Sequence, residues 1–153
     1  MFEYVDQGSG LSFAIKHIAI PADNLISKNV QRELEIHRRL THKHVVKFYD
    51  FKLLRNRSIS FVIEFMSNGS LKKRLNELEA IQGSISGAPR VEESEIHRMT
   101  YEILLGVRYL HSQNVVHRDL RSSNVLLTSD DTCKIADFGI SAEINVLALK
   151  SGM

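Results

Sequence analysis

Long apolar stretches are missing from this 153-residue chain: the longest uninterrupted run, Val146 to Leu149, is far short of the roughly 20 residues a membrane-spanning helix needs. Nor does Met1-Phe2-Glu3-Tyr4 open a signal peptide, so the sequence predicts a chain of the cytosol or nucleus with no membrane partner. Cysteine is almost absent. A lone Cys133 cannot close an internal bridge, which excludes a disulfide scaffold and predicts a structural thiol in a reducing compartment. Excess charge of one sign is small as well, at a formal +2, too little to point to a nucleic-acid partner. Arg55-Asn56-Arg57, the one tight basic cluster outside the predicted helices, reads as a solvated turn. Repeats and low-complexity tracts are lacking, which excludes arrays and long linkers. What remains, 43% hydrophobic and 25% charged residues, is the composition of a globular domain long enough for one core.

The pattern along the chain is strands first, then helices. Phe2 to Val5 and Leu11 to Ile18 flank a turn at Asp6-Gln7-Gly8-Ser9-Gly10 and predict a hairpin. Val30, Leu34, His37 and Leu40 then recur at helical spacing on one face, with Arg32, Glu35, Arg38 and Arg39 outward. Strand-like segments resume at Val45 to Leu54 and Ile59 to Phe65. Gly83-Ser84-Ile85-Ser86-Gly87-Ala88-Pro89 is the one composition shift and reads as a loop between two helices. After it, Glu92-Glu93-Ser94-Glu95 puts negative charge where a helix begins, and Ile96, Met99, Ile103, Val107 and Leu110 form the predicted buried stripe. Val115-Val116, Val125 to Leu127 and Cys133 to Ala136 are short extended pieces separated by polar strings.

Those strings carry the chemistry. His117-Arg118-Asp119-Leu120-Arg121-Ser122-Ser123-Asn124, followed thirteen residues after the Asn by Asp137-Phe138-Gly139, resembles the catalytic loop and metal-binding motif of protein kinases. Phosphoryl transfer asks chiefly for charge neutralisation and alignment, so such a site needs hard oxygen ligands for Mg²⁺ and one carboxylate at the incoming hydroxyl. The resemblance implies the carboxylate role for Asp119 and the metal role for Asn124 and Asp137. Upstream, Phe13-Ala14-Ile15-Lys16 is similar to the strand whose Lys grips the nucleotide phosphates, and the family requires a helix Glu to hold that Lys. Glu33 is the match and Glu35 the competitor. Two residues turn a helix by roughly 200°, so only one of them can face Lys16.

Phe61 to Leu71 resembles the family's last N-lobe strand, hinge and following helix start, with Ile63 at the gatekeeper position. This implies adenine bonding to the Glu64 carbonyl and Met66 amide, with Ala14 above and Leu126 below the ring. Arg118 stands where the family pairs a phosphate on the activation segment, which implies an upstream activating kinase; Ser141 also lies in that segment. Arg121 replaces the Lys usual in Ser/Thr kinases, as in some tyrosine kinases, while Tyr109-Leu110-His111-Ser112 and Lys134 to Gly139 look more like the kinases of the mitogen-activated cascade.

The resemblance runs from about Phe2 to Glu143, with no Gly-x-Gly-x-x-Gly before it and no Ala-Pro-Glu after it; Gly8-Ser9-Gly10 reads as a hairpin turn. It implies an α+β fold: a partial N-lobe over 1–63, a hinge region over 64–71 and the start of a helical C-lobe over 72–153. The implied function is ATP- and Mg²⁺-dependent phosphorylation of protein Ser/Thr hydroxyls, with weak or no transfer by this chain alone. The alternatives are a tyrosine kinase and an inactive nucleotide-binding or regulatory module. One departure from the family is His37, which stands where an apolar residue of the regulatory spine usually stacks.

Overall fold

A computed structural model of the chain describes residues 2–5, 10, 12–19, 28–54, 58–84 and 91–144. Residues 6–9 of the predicted hairpin turn, the basic turn at 55–57, residues 85–89 of the predicted loop and the apolar run at 146–149 lie outside the described residues.

Strands β1 (Phe2–Val5), β2 (Ser12–Ala19), β3 (Phe48–Leu54) and β4 (Ser58–Glu64) form an antiparallel sheet in the order β1-β2-β4-β3. The β1–β2 pair closes with Val5 opposite Ser12, and Gly10 adopts φ 71° in the connection, where a Cβ would be strained. Strand period sets the inner face. Ala14, Lys16 and Ile18 of β2 stand opposite Ile63, Phe61 and Ile59 of β4, so one Lys projects into an otherwise apolar row. That row, with Val46, Met66 and Ala136, is the first of three buried clusters. Val45 is not part of β3; it forms an isolated parallel bridge with Ile135 instead.

Helix α1 (Lys28–His37) lies against this cluster. Its buried stripe differs from the predicted one: Glu33, Ile36 and His37 are buried, Val30 and Leu34 only partly so, and the helix ends at His37, leaving buried Leu40 in the turn beyond. Sequence periodicity finds apolar side chains, and here two polar ones occupy the inward face because each has a partner, as described below.

Segment 38–47 ties the sheet to the helical half. The Val46 N–H donates to the Ile135 carbonyl (2.9 Å), Ile135 N–H to the His44 carbonyl (3.0 Å), and Ile36, Leu40, Val45, Leu110, Val115, Ile135 and Phe138 form the second buried cluster. The helical half comprises α2 (Leu71–Ser84), α3 (Glu93–Ser112) and the short pairs β5 (Val115–Val116) with β8 (Ala142–Glu143) and β6 (Val125–Leu127) with β7 (Cys133–Ile135). Gly83 and Ser84, read above as loop, complete α2.

Helix α3 starts with Glu93 and Glu95 in its first turn, as its macrodipole favours. Of its predicted stripe, Met99 and Leu110 are buried and Ile103 and Val107 partly so, but Ile96 is 50% exposed, because the helix packs on β7 and β5 through its later turns. The helix comes close at Gly106, where a Cβ would lie 2.7 Å from the His44 carbonyl oxygen and 2.9 Å from Ile135 Cδ1. Only glycine lets the helix come this near. Among the described residues no helix is long and apolar enough to cross a membrane.

Candidate active site

Lys16 reaches from the apolar row of β2 to two carboxylates. Its Nζ lies 2.6 Å from Glu33 Oε1 on α1 and 3.1 Å from Asp137 Oδ1 in the loop after β7. Burial works against the ammonium charge, but the facing charges and hydrogen bonds of Glu33 and Asp137 outweigh it and hold the Lys16 pKa above its usual value. Asp137 is the mirror case: burial would raise its pKa, yet Lys16 holds it below the usual carboxylate value. Glu35, the competing candidate, is exposed.

A second network is built by residues 117–124. His117 Nε2 is 2.9 Å from the Ala136 carbonyl, which can only accept, so that nitrogen carries the proton. Nδ1 is then free to accept from the Asp119 N–H at 3.2 Å. Asn124, in the 3₁₀ turn Ser122–Asn124, donates its amide to both the carbonyl and Oδ2 of Asp119 at 2.9 Å, and its own backbone carbonyl accepts from Ala136 N–H at 2.9 Å. These bonds join His117, Asp119 and Asn124 to Ala136, the residue before Asp137.

Arg118 at φ 67° and Asp137 at φ 66° sit in the left-handed backbone region, as do Asn114 and Asp131 in turns elsewhere. For non-glycine residues such conformations cost on the order of 1–3 kcal/mol and concentrate at functional sites. Arg118 lies exposed beside a surface hollow shared with Arg32, Glu35 and Glu143, and Arg121 is bonded through Nε to Ser123 Oγ at 2.6 Å. Ser141 is fully buried, its hydroxyl donating to the His117 carbonyl at 3.1 Å.

Between the sheet and the loop lies a cleft of about 140 Å³, lined by Lys16, Glu33, Ile63, Asn124, Leu126 and Asp137 of the sequence candidates. Ala14, Glu64, Met66, Arg118 and Asp119 do not line it. Ala14 is buried next to Ile63 in the sheet. The Glu64 carboxylate is held away by Lys134 Nζ, at 2.7 and 2.9 Å, and by the Lys47 N–H at 3.1 Å. The segment after Glu64 is stitched to β6, with Asn68 N–H donating to the Leu127 carbonyl at 3.2 Å and Leu127 N–H to the Gly69 carbonyl at 2.8 Å. His37, Val46, Phe61, Ser123 and Ala136 also line the cleft and escaped the sequence reading as site residues. A polar residue on the inward helical face, as at His37, was the one signal available.

No three His, Cys, Asp or Glu converge on a point among the described residues. Asp137 and Asn124, a carboxylate and an amide at one cleft wall, fit an ion such as Mg²⁺, which usually takes one or two protein oxygens and completes its shell with water and phosphate.

The chain matches the family described as "Protein kinase domain" over residues 1–151, and it belongs to that family. It is 31% identical over 144 residues to the serine/threonine-protein kinase pakA of Dictyostelium discoideum, covering 94% of this chain and 11% of that protein. It is 32% identical over 145 residues to the MAP kinase kinase skh1/pek1 of Schizosaccharomyces pombe (93% and 38%) and 38% identical over 119 residues to Aurora kinase B of Drosophila melanogaster (76% and 33%). The chain thus spans little more than a third of these relatives, or less. The family's fold, a strand-rich lobe joined to a helical one, is the fold seen here, and its members generally use ATP and Mg²⁺.

Proposed function

We propose that this chain carries the nucleotide and catalytic-loop portion of a serine/threonine protein kinase, which moves the γ-phosphoryl group of ATP to a protein hydroxyl. The observation that supports this most is the double engagement of Lys16 by Glu33 and Asp137, which brings α1, the sheet and the loop after β7 to one point. On this reading residues 1–63, 64–71 and 72–153 are partial N-lobe, hinge region and first part of the C-lobe.

In the reaction the hydroxyl oxygen attacks the γ-phosphorus as the bond to the β-phosphate oxygen breaks, ADP leaves, and the hydroxyl proton passes to the Asp119 carboxylate. Asn124 fixes that carboxylate through Oδ2, so it meets the hydroxyl already oriented. Lys16 binds phosphate oxygens, and Glu33 keeps the ammonium in place. Asp137 and Asn124 would hold Mg²⁺, which when bound neutralises phosphate charge. By the family resemblance the adenine edge bonds the Glu64 carbonyl and Met66 amide between Ala14 and Leu126; of these four only Leu126 lines the cleft. Arg118, exposed beside Arg32, receives a phosphate placed on the activation segment by an upstream kinase.

A ligand that binds only the folded state raises its melting temperature with concentration. Mg²⁺-ATP is expected to raise that of this chain, with the rise lost in Lys16→Met and Asp137→Ala. No rise in the unsubstituted chain at millimolar nucleotide would sink the reading. Any transfer to a generic protein substrate is expected to vanish in Asp119→Asn.

A further inference from the structure

Buried His37 packs at tilted angles against two aromatic rings, with ring centroids 4.9 Å from Phe138 and 5.5 Å from Phe48, and Phe138 in turn meets His117 edge-on at 5.3 Å. Such packing alone would be served by an apolar side chain. The imidazole does something more: its Nε2 lies 2.7 Å from the carbonyl oxygen of fully buried Val46. A carbonyl only accepts, so His37 is the donor, with the proton on Nε2. The Val46 N–H donates onward to Ile135, two residues before Asp137.

We propose that His37 is a positioning residue, a latch that fixes α1 along its axis so that Glu33 stays within reach of Lys16. Glu33 and His37 are four residues apart and share one face of the helix, one turn above the other. Lys16 cannot set the helix position by itself, because its four-carbon stem follows a carboxylate that drifts. The short, stiff link from ring to backbone can. Through Val46 and Ile135 it also fixes α1 relative to Asp137, the other partner of Lys16.

The inference rests on reading Lys16 and Glu33 as the phosphate-holding pair, but its test needs no nucleotide. A carbodiimide joins amines to carboxylates in contact and should link Lys16 to Glu33, with Lys134 and Glu64, 2.7 Å apart, as an internal reference. His37→Phe keeps a ring and removes the donor; the Lys16–Glu33 product is expected to fall about tenfold against the reference. His37→Gln restores an N–H of similar reach and should recover the product to within about twofold. Amide exchange in α1 should quicken in His37→Phe while α3 stays unchanged. Equal yields in the unsubstituted chain and His37→Phe would overturn the proposal, as would a parallel loss of both products or His37→Gln behaving like His37→Phe. Loss of Mg²⁺-ATP binding with these yields as expected would instead sink the nucleotide reading and leave the latch standing.

Discussion

Helix α1 turns Glu33 and His37 inward, while α3 leaves Ile96, Tyr101 and Leu104 exposed; each departs from a simple amphipathic pattern, in opposite directions. The inward polar groups of α1 all have partners, at 2.6 Å for Glu33 and 2.7 Å for His37, so its placement depends on a few directional bonds. Placement of α3 depends on close packing at Gly106 and on Met99 and Leu110. Directional bonds fix where α1 holds the Glu33 carboxylate at the cleft, whereas packing fixes how near α3 comes to β7. The difference predicts that α1 responds to single polar substitutions and pH, and α3 to volume.

The largest expected effect lies in α1. Lys16→Met leaves the nearly buried Glu33 carboxylate without its cation. Breaking a buried pair costs 3–5 kcal/mol, and because the Lys16 side chain is 29% exposed the loss should be near the lower end, about 3 kcal/mol by urea denaturation. A loss under about 1 kcal/mol would mean the pair contributes no more than a surface bridge. In α3, Gly106→Ala would gain about 1 kcal/mol of helix propensity but drive a methyl into the His44 backbone. Overpacking of that kind costs about 3 kcal/mol, for a net loss of about 2. A more stable Gly106→Ala chain would show that the helix can move outward freely.

Much of the candidate site is readable in the sequence because its parts are local. Asp119 and Asn124 are five residues apart and bonded to each other, and Asp137 announces itself by its neighbours Phe138 and Gly139. Contacts between distant segments are not readable in that way. Nothing local says that Lys134 holds Glu64, seventy residues away, or that Val46 accepts from His37. Backbone strain at Arg118 and Asp137 is equally silent, since neither residue type demands positive φ. The helix errors have the same origin: periodicity identifies a face without saying how far along it a neighbour extends. That is why Ile96 was expected inside and Gly83 outside a helix.

A smaller effect follows from pH. Burial, with Lys16 nearby, depresses His37 to about 4 from 6.5, although the Val46 bond and Asp137 pull the other way. Below pH 6.5 the unfolded chain therefore takes up a proton that the folded chain refuses, and stability falls as pH drops towards about 4. At about 1.4 kcal/mol per pH unit, lowering pH from 7.5 to 5.5 should remove roughly 1 kcal/mol through this residue. Half-buried His42 is also lowered, by burial and by His44, and adds to the loss. The His37 share is the difference between the unsubstituted chain and His37→Gln, measured as urea midpoints at both pH values; parallel lines would mean His37 does not titrate as its burial demands.

The smallest expected effect tests the other side of the comparison. Leu104 on α3 is 59% exposed, so Leu104→Lys removes little buried area and replaces one good helix former by another. Its change in stability should stay within about 0.5 kcal/mol, as for surface sites generally. Met99, one and a half turns earlier and 7% exposed, provides the contrast, since Met99→Lys must bury an ammonium against Val125, Leu127 and Cys133. If Leu104→Lys proved as damaging as Met99→Lys, the exposed face would be carrying contacts of its own, and α3 would depend on both its faces while α1 depends on one.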